Sequence, residues 1–277
     1  MNEFHQTVAP LAPGEHNLRL PPMYELAAIL AGLAAGSFLN VCIVRSPRGE
    51  SVVVPPSHCR RCLEPIRWYD NIPLLSFVLL RGHCRDCRAP IPLRYPLVEF
   101  LAALLVLALL HGGREPREAL LLFALGSALI VVTFIDLDHR IIPDAITIPF
   151  IVIAPAAAFL VGHITVKESL AGALVGGGLL WAIARLYALV RKQEGMGLGD
   201  VKLLAMIGGL QGWQSALFTL GTASVSGAAV GLLVMAAKRG RLNMEIPFGP
   251  FLALGAVVYM FAGPALIAWY LGLPPLF

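Results

Sequence analysis

The chain has 277 residues, 57% of them hydrophobic and only 14% charged, with a formal net charge of +4 and a mean hydropathy of +0.76. About a quarter of a soluble domain is charged, so this balance excludes a soluble globular protein and indicates a polytopic membrane protein. The positive charge calls for no nucleic-acid partner, because cytoplasmic loops of membrane proteins are basic and attract anionic lipid.

A helical span needs about 20 apolar residues. Runs near that length predict an all-α protein of about eight spans, at 23–44, 97–112, 118–135, 146–164, 169–190, 201–213, 215–236 and 248–272. The second and sixth are short. Residues 1–22 form a tail ahead of the first helix, 23–45. That first run is too long for a signal-peptide core and has no small-residue cleavage site after it, which predicts a retained helix.

Arginines crowd the segment between the first two spans: Arg48, Arg60, Arg61, Arg67, Arg81, Arg85, Arg88 and Arg94. Arg191-Lys192 and the group Lys238, Arg239 and Arg241 follow later. With eight spans all of these fall on one side, which is then the cytoplasm, and both chain ends lie outside. Arg114 and Arg117, in a short outer loop, run against this majority.

Residues 46–96 are too polar and proline-rich to span. They contain Cys59-Arg-Arg-Cys62 and Cys84-Arg-Asp-Cys87. Two CxxC knuckles at this separation predict a four-thiolate zinc site, structural because no coordination position stays open for a catalytic water. A reducing compartment disfavours the alternative of two disulfides. So short a loop gains folding energy from the metal. His58 adjoins a knuckle but is surplus to it, and Cys42, inside the first span, is a packing residue.

Two acids stand at span ends. Asp136 closes the apolar run 120–135, and Asp200 follows Gly197-Leu-Gly199 at the start of the sixth span. Carboxyls at membrane depth are costly and mark functional sites. Around the first, Asp136, Asp138 and Asp144 compete. Asp144 has an alternative reading as a cap for the Thr147 N–H, and Asp138 as a solvated or paired loop residue near His139 and Arg140. The residues alone leave Asp136 and Asp138 both open. Asp200 could equally be a helix N-cap. Gly197 and Gly199 would allow close backbone approach of a helix or substrate. Lys202 would pair with a carboxylate or a lipid phosphate. All these acids fall on the predicted cytoplasmic side.

Gly36-Ser-Phe-Leu-Asn40-Val, the tetracysteine loop, Asp136-x-Asp138-His-x-x-x-Pro143-Asp144, Glu194-Gly-Met-Gly-x-Gly-Asp200-x-Lys202 and Pro247-Phe-Gly-Pro-Phe251 follow in that order. Together they resemble the bacterial type IV prepilin peptidases, leader peptidases and N-methyltransferases of the GxGD aspartyl protease group, over nearly the whole chain from about residue 30. The resemblance implies that Asp136 and Asp200 are the catalytic pair, with Gly197, Gly199 and Lys202 in the active-site loop. It implies a peptidase region over 97–277. It assigns the methyl-transfer part to the first helix and the module 46–96. It implies prepilin and pseudopilin substrates, S-adenosylmethionine as methyl donor, and residence in the bacterial inner membrane with the active site at the cytoplasmic face.

In an aspartyl mechanism two neighbouring carboxyls share one proton. One takes a proton from water, the water attacks the scissile carbonyl, and the other donates to the oxygen and then to the leaving amine. For the methyl donor the sequence carries no glycine fingerprint. Gly32-x-x-x-Gly36 and Gly172-x-x-x-Gly176 are helix-packing motifs. The donor is expected near the cytoplasmic loop, Glu99 and Asn40, with no binding residue assigned. The alternatives are a Glu99–Arg94 ion pair and an interhelical hydrogen bond from Asn40.

Two rival readings use the same features. A transporter also pairs membrane acids with broken helices, although here both acids lie at one face and the spans show no two-fold repeat. A zinc-anchored scaffold predicts that Asp136→Ala and Asp200→Ala leave function intact. No HExxH helix and no GxSxG elbow occurs in the sequence.

Overall fold

The computed structural model describes residues 22–192, 197–237 and 246–272. The helices in chain order are α1 (Pro22–Arg45), α2 (Leu75–Leu79), α3 (Arg94–His111), α4 (Pro116–His139) and α5 (Asp144–Val161). They continue with α6 (Val166–Arg191), α7 (Leu198–Gln211), α8 (Trp213–Ala237) and α9 (Gly249–Tyr270). No strand forms among the described residues; two isolated bridges lie between α1 and α3.

All the helices but α2 and α7 are long and apolar enough to cross a membrane, seven in all among the described residues. Their outward faces carry large apolar side chains, such as Phe159, Leu174, Leu189 and Trp269, each more than 70% exposed. Acyl chains, not water, are the solvent that suits such a surface. The protein is a multi-pass membrane protein.

α7 is the exception. Its 14 residues extend about 21 Å, short of a hydrocarbon core of about 30 Å. It is instead the inner helix, with Leu203, Leu204 and Met206–Gln211 all buried. Two glycine positions let α6 reach it: a Cβ on Gly172 would collide with the Gly208 carbonyl, and one on Gly176 would stand 2.5 Å from the Leu204 oxygen. On the other side of the molecule a Cβ on Gly36 would stand 2.5 Å from the Glu99 Cα, so α1 and α3 pack backbone to backbone. Both GxxxG segments are therefore packing faces, as their spacing predicts.

Tertiary contacts fix the alternation of the helices. Arg94 at the start of α3 pairs with Asp138 at the end of α4. Lys202 in α7 reaches Asp144 at the start of α5, and the first amide of α9 reaches Asp136 in α4. At the opposite end His163 contacts the Leu210 carbonyl at 2.8 Å and Arg114 donates to that of Met260. The starts of α3, α5, α7 and α9 and the end of α4 thus share one face, the face that the arginine distribution assigns to the cytoplasm. Arg114, which ran against that distribution, is committed to Glu118 and the Met260 carbonyl.

Several boundaries differ from the hydropathy reading. α4 continues to His139, beyond the apolar run, because Arg140 adopts a left-handed conformation (φ 56°) and returns its N–H to the Asp136 carbonyl. Asp136 therefore lies one turn inside the helix. α7 begins at Leu198, so Gly197 is the N-cap and Asp200 sits in the first turn, not at the cap. Asp144 does not cap Thr147, whose N–H goes to the Pro143 carbonyl.

Candidate active site

The C-terminal turn of α4, the first turn of α7 and the N-terminus of α9 meet at the shared face. Asp136 is 5% exposed, and its Oδ2 accepts the Gly249 N–H at 3.0 Å. The Phe248-Gly249-Pro250 turn leaves the first amide of α9 without an intrahelical acceptor, and a carboxylate is the natural partner for such a donor. The approach demands glycine: a Cβ at 249 would lie 2.6 Å from Asp136 Oδ2.

Asp200 is half-buried in the first turn of α7. The turn that carries Asp200 and the Asp136–Gly249 contact both pack on Ile142. Ile142, from the loop that joins α4 to α5, is wedged beneath them. A Cβ on Gly199 would meet the Ile142 Cβ at 3.0 Å, so this glycine does permit a close approach. Gly197 is exposed and has only the Gly199 amide nitrogen near it, at 3.9 Å, so no partner backbone crowds it. Glu194, Gly195 and Met196, the start of that motif, lie outside the described residues.

The neighbouring charges are arranged around this pair. Lys202 Nζ donates to both oxygens of Asp144 at 2.7 Å, linking α7 to α5 two residues beyond Asp200. Asp138 is paired, as one of its readings had it, but with Arg94 of α3 and not with its neighbours in sequence. Glu99 does not pair with Arg94; its Oε2 accepts the Leu74 N–H at 2.9 Å. Asn40 makes the expected interhelical bond, Nδ2 to the Tyr95 carbonyl at 3.0 Å.

Cys59, Cys62, Cys84 and Cys87 bring their four sulfurs within 4.8 Å of one another, close enough to share one metal ion. The two knuckles are copies 25 residues apart. Cys59 N–H bonds the Glu64 carbonyl at 2.9 Å as Cys84 does that of Ala89 at 2.8 Å. Leu63 and Arg88 both take positive φ (62° and 56°), and the bridges His58–Pro65 and His83–Pro90 correspond. His58 and His83 each hold a carbonyl two residues back, Pro56 and Arg81, so His58 is tied to its own knuckle and stands outside the sulfur cluster.

Donation from the Cys62 backbone brings the Cys59 thiol down to about 6. Cys62, although the Glu64 N–H favours its thiolate, is pushed up to about 12 by burial and the adjacent sulfurs. Contacting thiols split in this way when one anion is shared among them; a divalent cation removes the conflict. Cys42 is free, half-buried and packed against the apolar cluster of α1, α3 and α4.

Family models match two segments. Residues 30–112 match the bacterial peptidase A24 N-terminal domain, and 123–232 match the type IV leader peptidase family. The chain is 36% identical over 276 residues to the prepilin leader peptidase/N-methyltransferase of Aeromonas hydrophila, covering 91% of this chain and 95% of that protein.

The chain belongs to the type IV leader peptidase family.

The protein of the same description from Pseudomonas aeruginosa is 35% identical, covering 91% of this chain and 94% of its own length. The one from Myxococcus xanthus is 38% identical over 90% of this chain and 75% of its length. No solved structure matches. The N-terminal match ends at residue 112, the end of α3, so the helix that carries Arg94 and Glu99 belongs with the tetracysteine segment in sequence as well as in packing.

A cavity of about 310 Å³ opens between that segment, the C-terminal end of α1 and the N-terminal end of α3. It is separate from the aspartates. Arg45, 7% exposed, shapes one wall by donating to the Ser51 carbonyl at 2.9 Å and that of Pro55 at 2.7 Å. Sequence reasoning assigned no role to Arg45 or Gly249, and gave Arg94 to Glu99 instead of Asp138. An arginine that ends an apolar run, and a Gly-Pro pair that opens one, were the available signals.

Proposed function

We propose that the protein is an aspartic endopeptidase that removes the basic leader of type IV prepilins and type II secretion pseudopilins, with Asp136 and Asp200 as the catalytic pair. One observation carries this reading: Ile142 packs against both Gly249, whose amide orients Asp136, and Gly199, the neighbour of Asp200, so the two acids flank one loop residue. Two carboxyls so placed hold a single proton between them. The ionised member takes a proton from water, that water attacks the scissile carbonyl, and the protonated member delivers its proton to the carbonyl oxygen and then to the leaving amine. Gly197 and Gly199 form the backbone edge beside the pair. Lys202 orients the first turn of α7 through Asp144.

The substrate class fits the position of the site. A leader that stays in the cytoplasm, followed by an apolar helix, presents its junction at the face where the aspartates lie. The protein is accordingly a bacterial inner-membrane enzyme, cytoplasmic at that face.

The second activity is N-methylation of the newly exposed amine, with the first helix and the module 46–96 as the methyl-transfer part and 97–277 as the peptidase part. Four cysteine sulfurs at tetrahedral range suit zinc, held structurally. S-adenosylmethionine, when bound, supplies an electrophilic methyl group. The cavity beside the cysteines fits such a donor, since Asn40 Oδ1 in its wall is buried with no hydrogen-bond partner.

Purified protein incubated with a prepilin tests the reading. Asp136→Asn and Asp200→Asn, which barely change shape, are each expected to abolish cleavage while expression and folding persist. Retained cleavage in Asp136→Asn would transfer the role to Asp138. Retained cleavage in both would exclude an aspartic mechanism.

A further inference from the structure

The cavity has a chemistry that its position alone does not explain. Glu99 lines it and is 9% exposed, and its Oε2 is fixed by the Leu74 N–H. Leu74 adopts φ 58° to make that bond, a conformation a leucine rarely takes. The strain indicates that the carboxylate is held in place for a purpose. Glu99 Oε1 makes no hydrogen bond among the described residues, and Asn40 Oδ1, 3% exposed, also has no partner. The cavity wall thus carries a carboxylate, and the buried Oδ1 of a second wall residue, Asn40, stands without a donor. Buried acceptors without donors are costly and point to an absent ligand.

We infer that this cavity is the methyl-donor site and that the Glu99 carboxylate faces the sulfonium centre of S-adenosylmethionine. This rests on the methyl-transfer reading above. One feature recommends a cation as the ligand. A carboxylate in a low-dielectric wall attracts positive charge strongly. Exposed Arg60 and Arg61 line the cavity too, suited to the donor's own carboxylate. The volume of about 310 Å³ is at the lower end of the range for small-molecule sites. Glu99 is a positioning residue for the donor: no proton leaves or reaches it in this assignment.

The test is calorimetric titration of the zinc-loaded full-length protein, in detergent, with S-adenosylmethionine and with S-adenosylhomocysteine, the uncharged thioether. Glu99→Gln keeps an oxygen for the Leu74 N–H and removes only the charge. It is expected to weaken S-adenosylmethionine about tenfold or more and S-adenosylhomocysteine less than about threefold. Ile72→Trp, which fills the cavity from an exposed loop position, is expected to weaken both. Metal content checks that the module is intact in each variant. Equal weakening of the two ligands by Glu99→Gln, or unchanged affinities in both variants, overturns the assignment. A wild-type protein that binds neither ligand instead overturns the methyl-transfer reading on which it rests.

Discussion

Replacing Gly249 by alanine tests the carboxyl pair without touching either carboxyl. The new Cβ would stand 2.6 Å from Asp136 Oδ2 and 3.2 Å from its Cγ, while ordinary van der Waals contact begins at 3.4 Å. The carboxylate must withdraw by roughly 0.8 Å, and the 3.0 Å bond from the Gly249 N–H is lengthened or lost. A hydrogen bond to a charged group contributes about 1.5–3 kcal/mol, equivalent to about ten- to hundredfold in rate if the bond acts on the transition state. Misplacing a catalytic group by about 1 Å costs about a hundredfold by itself. The expected fall in kcat for prepilin cleavage is therefore about a hundredfold. Folding should not suffer comparably, because alanine favours helix over glycine by up to about 1 kcal/mol. Steady-state cleavage and thermal unfolding measured on the same preparation separate the two effects. A kcat within about threefold of wild type would refute the contact, and a large loss of stability would show that the glycine serves packing instead.

Other perturbations reach other links. Gly172→Ile forces a side chain into the Gly208 carbonyl, so overpacking is expected to cost about 3 kcal/mol or more and to lower the unfolding temperature; unchanged stability would contradict the α6–α7 packing. Stripping the metal with a chelator is expected to expose residues 46–96 to protease and to abolish methylation before cleavage, whereas simultaneous loss of both would mean that the module supports the whole bundle. Arg85 bonds Asp70 through Nε at 2.8 Å and holds its carboxyl below the usual range, so the folded module binds fewer protons there than the unfolded one. The advantage of wild type over Asp70→Asn, about 1 kcal/mol or less after solvent screening, is expected in full at pH 7 and reduced at about pH 3, where the unfolded state is already largely protonated and the folded carboxyl begins to follow. Denaturant midpoints at the two pH values measure it, and an advantage that grows on acidification would contradict the pairing.

The parts of this architecture that were legible in the sequence are those that composition encodes. Apolar runs marked the spans, CxxC spacing marked the sulfur cluster, and two acids at the ends of apolar runs marked the site. The short α7 was legible as a doubtful span, but hydropathy cannot distinguish a helix buried in protein from one facing lipid, since both are apolar. The partners of Asp138, Asp144 and Glu99 were not legible. Arg94–Asp138 and Lys202–Asp144 join residues 44 and 58 apart, and nothing local specifies such pairs. The Gly249 amide is a backbone donor, with only the Gly-Pro step to betray it. The 25-residue copy of the knuckle was available, because His-Cys-x-x-Cys-x-x-Pro-Ile occurs at 58–66 and again at 83–91.

Two reactions on one substrate require that their sites be held at related depths, and α3 and α4 provide the means. Glu99 follows Val98, and Asp136 follows Ile135; both of these apolar residues are wholly buried in the cluster completed by Leu39, Ile43, Ala102 and Val131. This close-packed block spans α1, α3 and α4, and such cores transmit displacement with little compliance. The Arg94–Asp138 pair adds a second tie between α3 and α4, nearer the shared face. The cavity and the carboxyl pair are thus attached to one rigid block, not to separate bodies joined by a linker. Under the proposed roles, a new N-terminus released beside Asp136 would pass to the cavity along this block while its apolar helix stays in lipid. Arg94→Gln is expected to leave methylation of an already cleaved pilin intact while slowing the passage from cleaved to methylated product, read as accumulation of cleaved, unmethylated pilin. Absence of that accumulation would mean that the apolar block alone fixes the spacing.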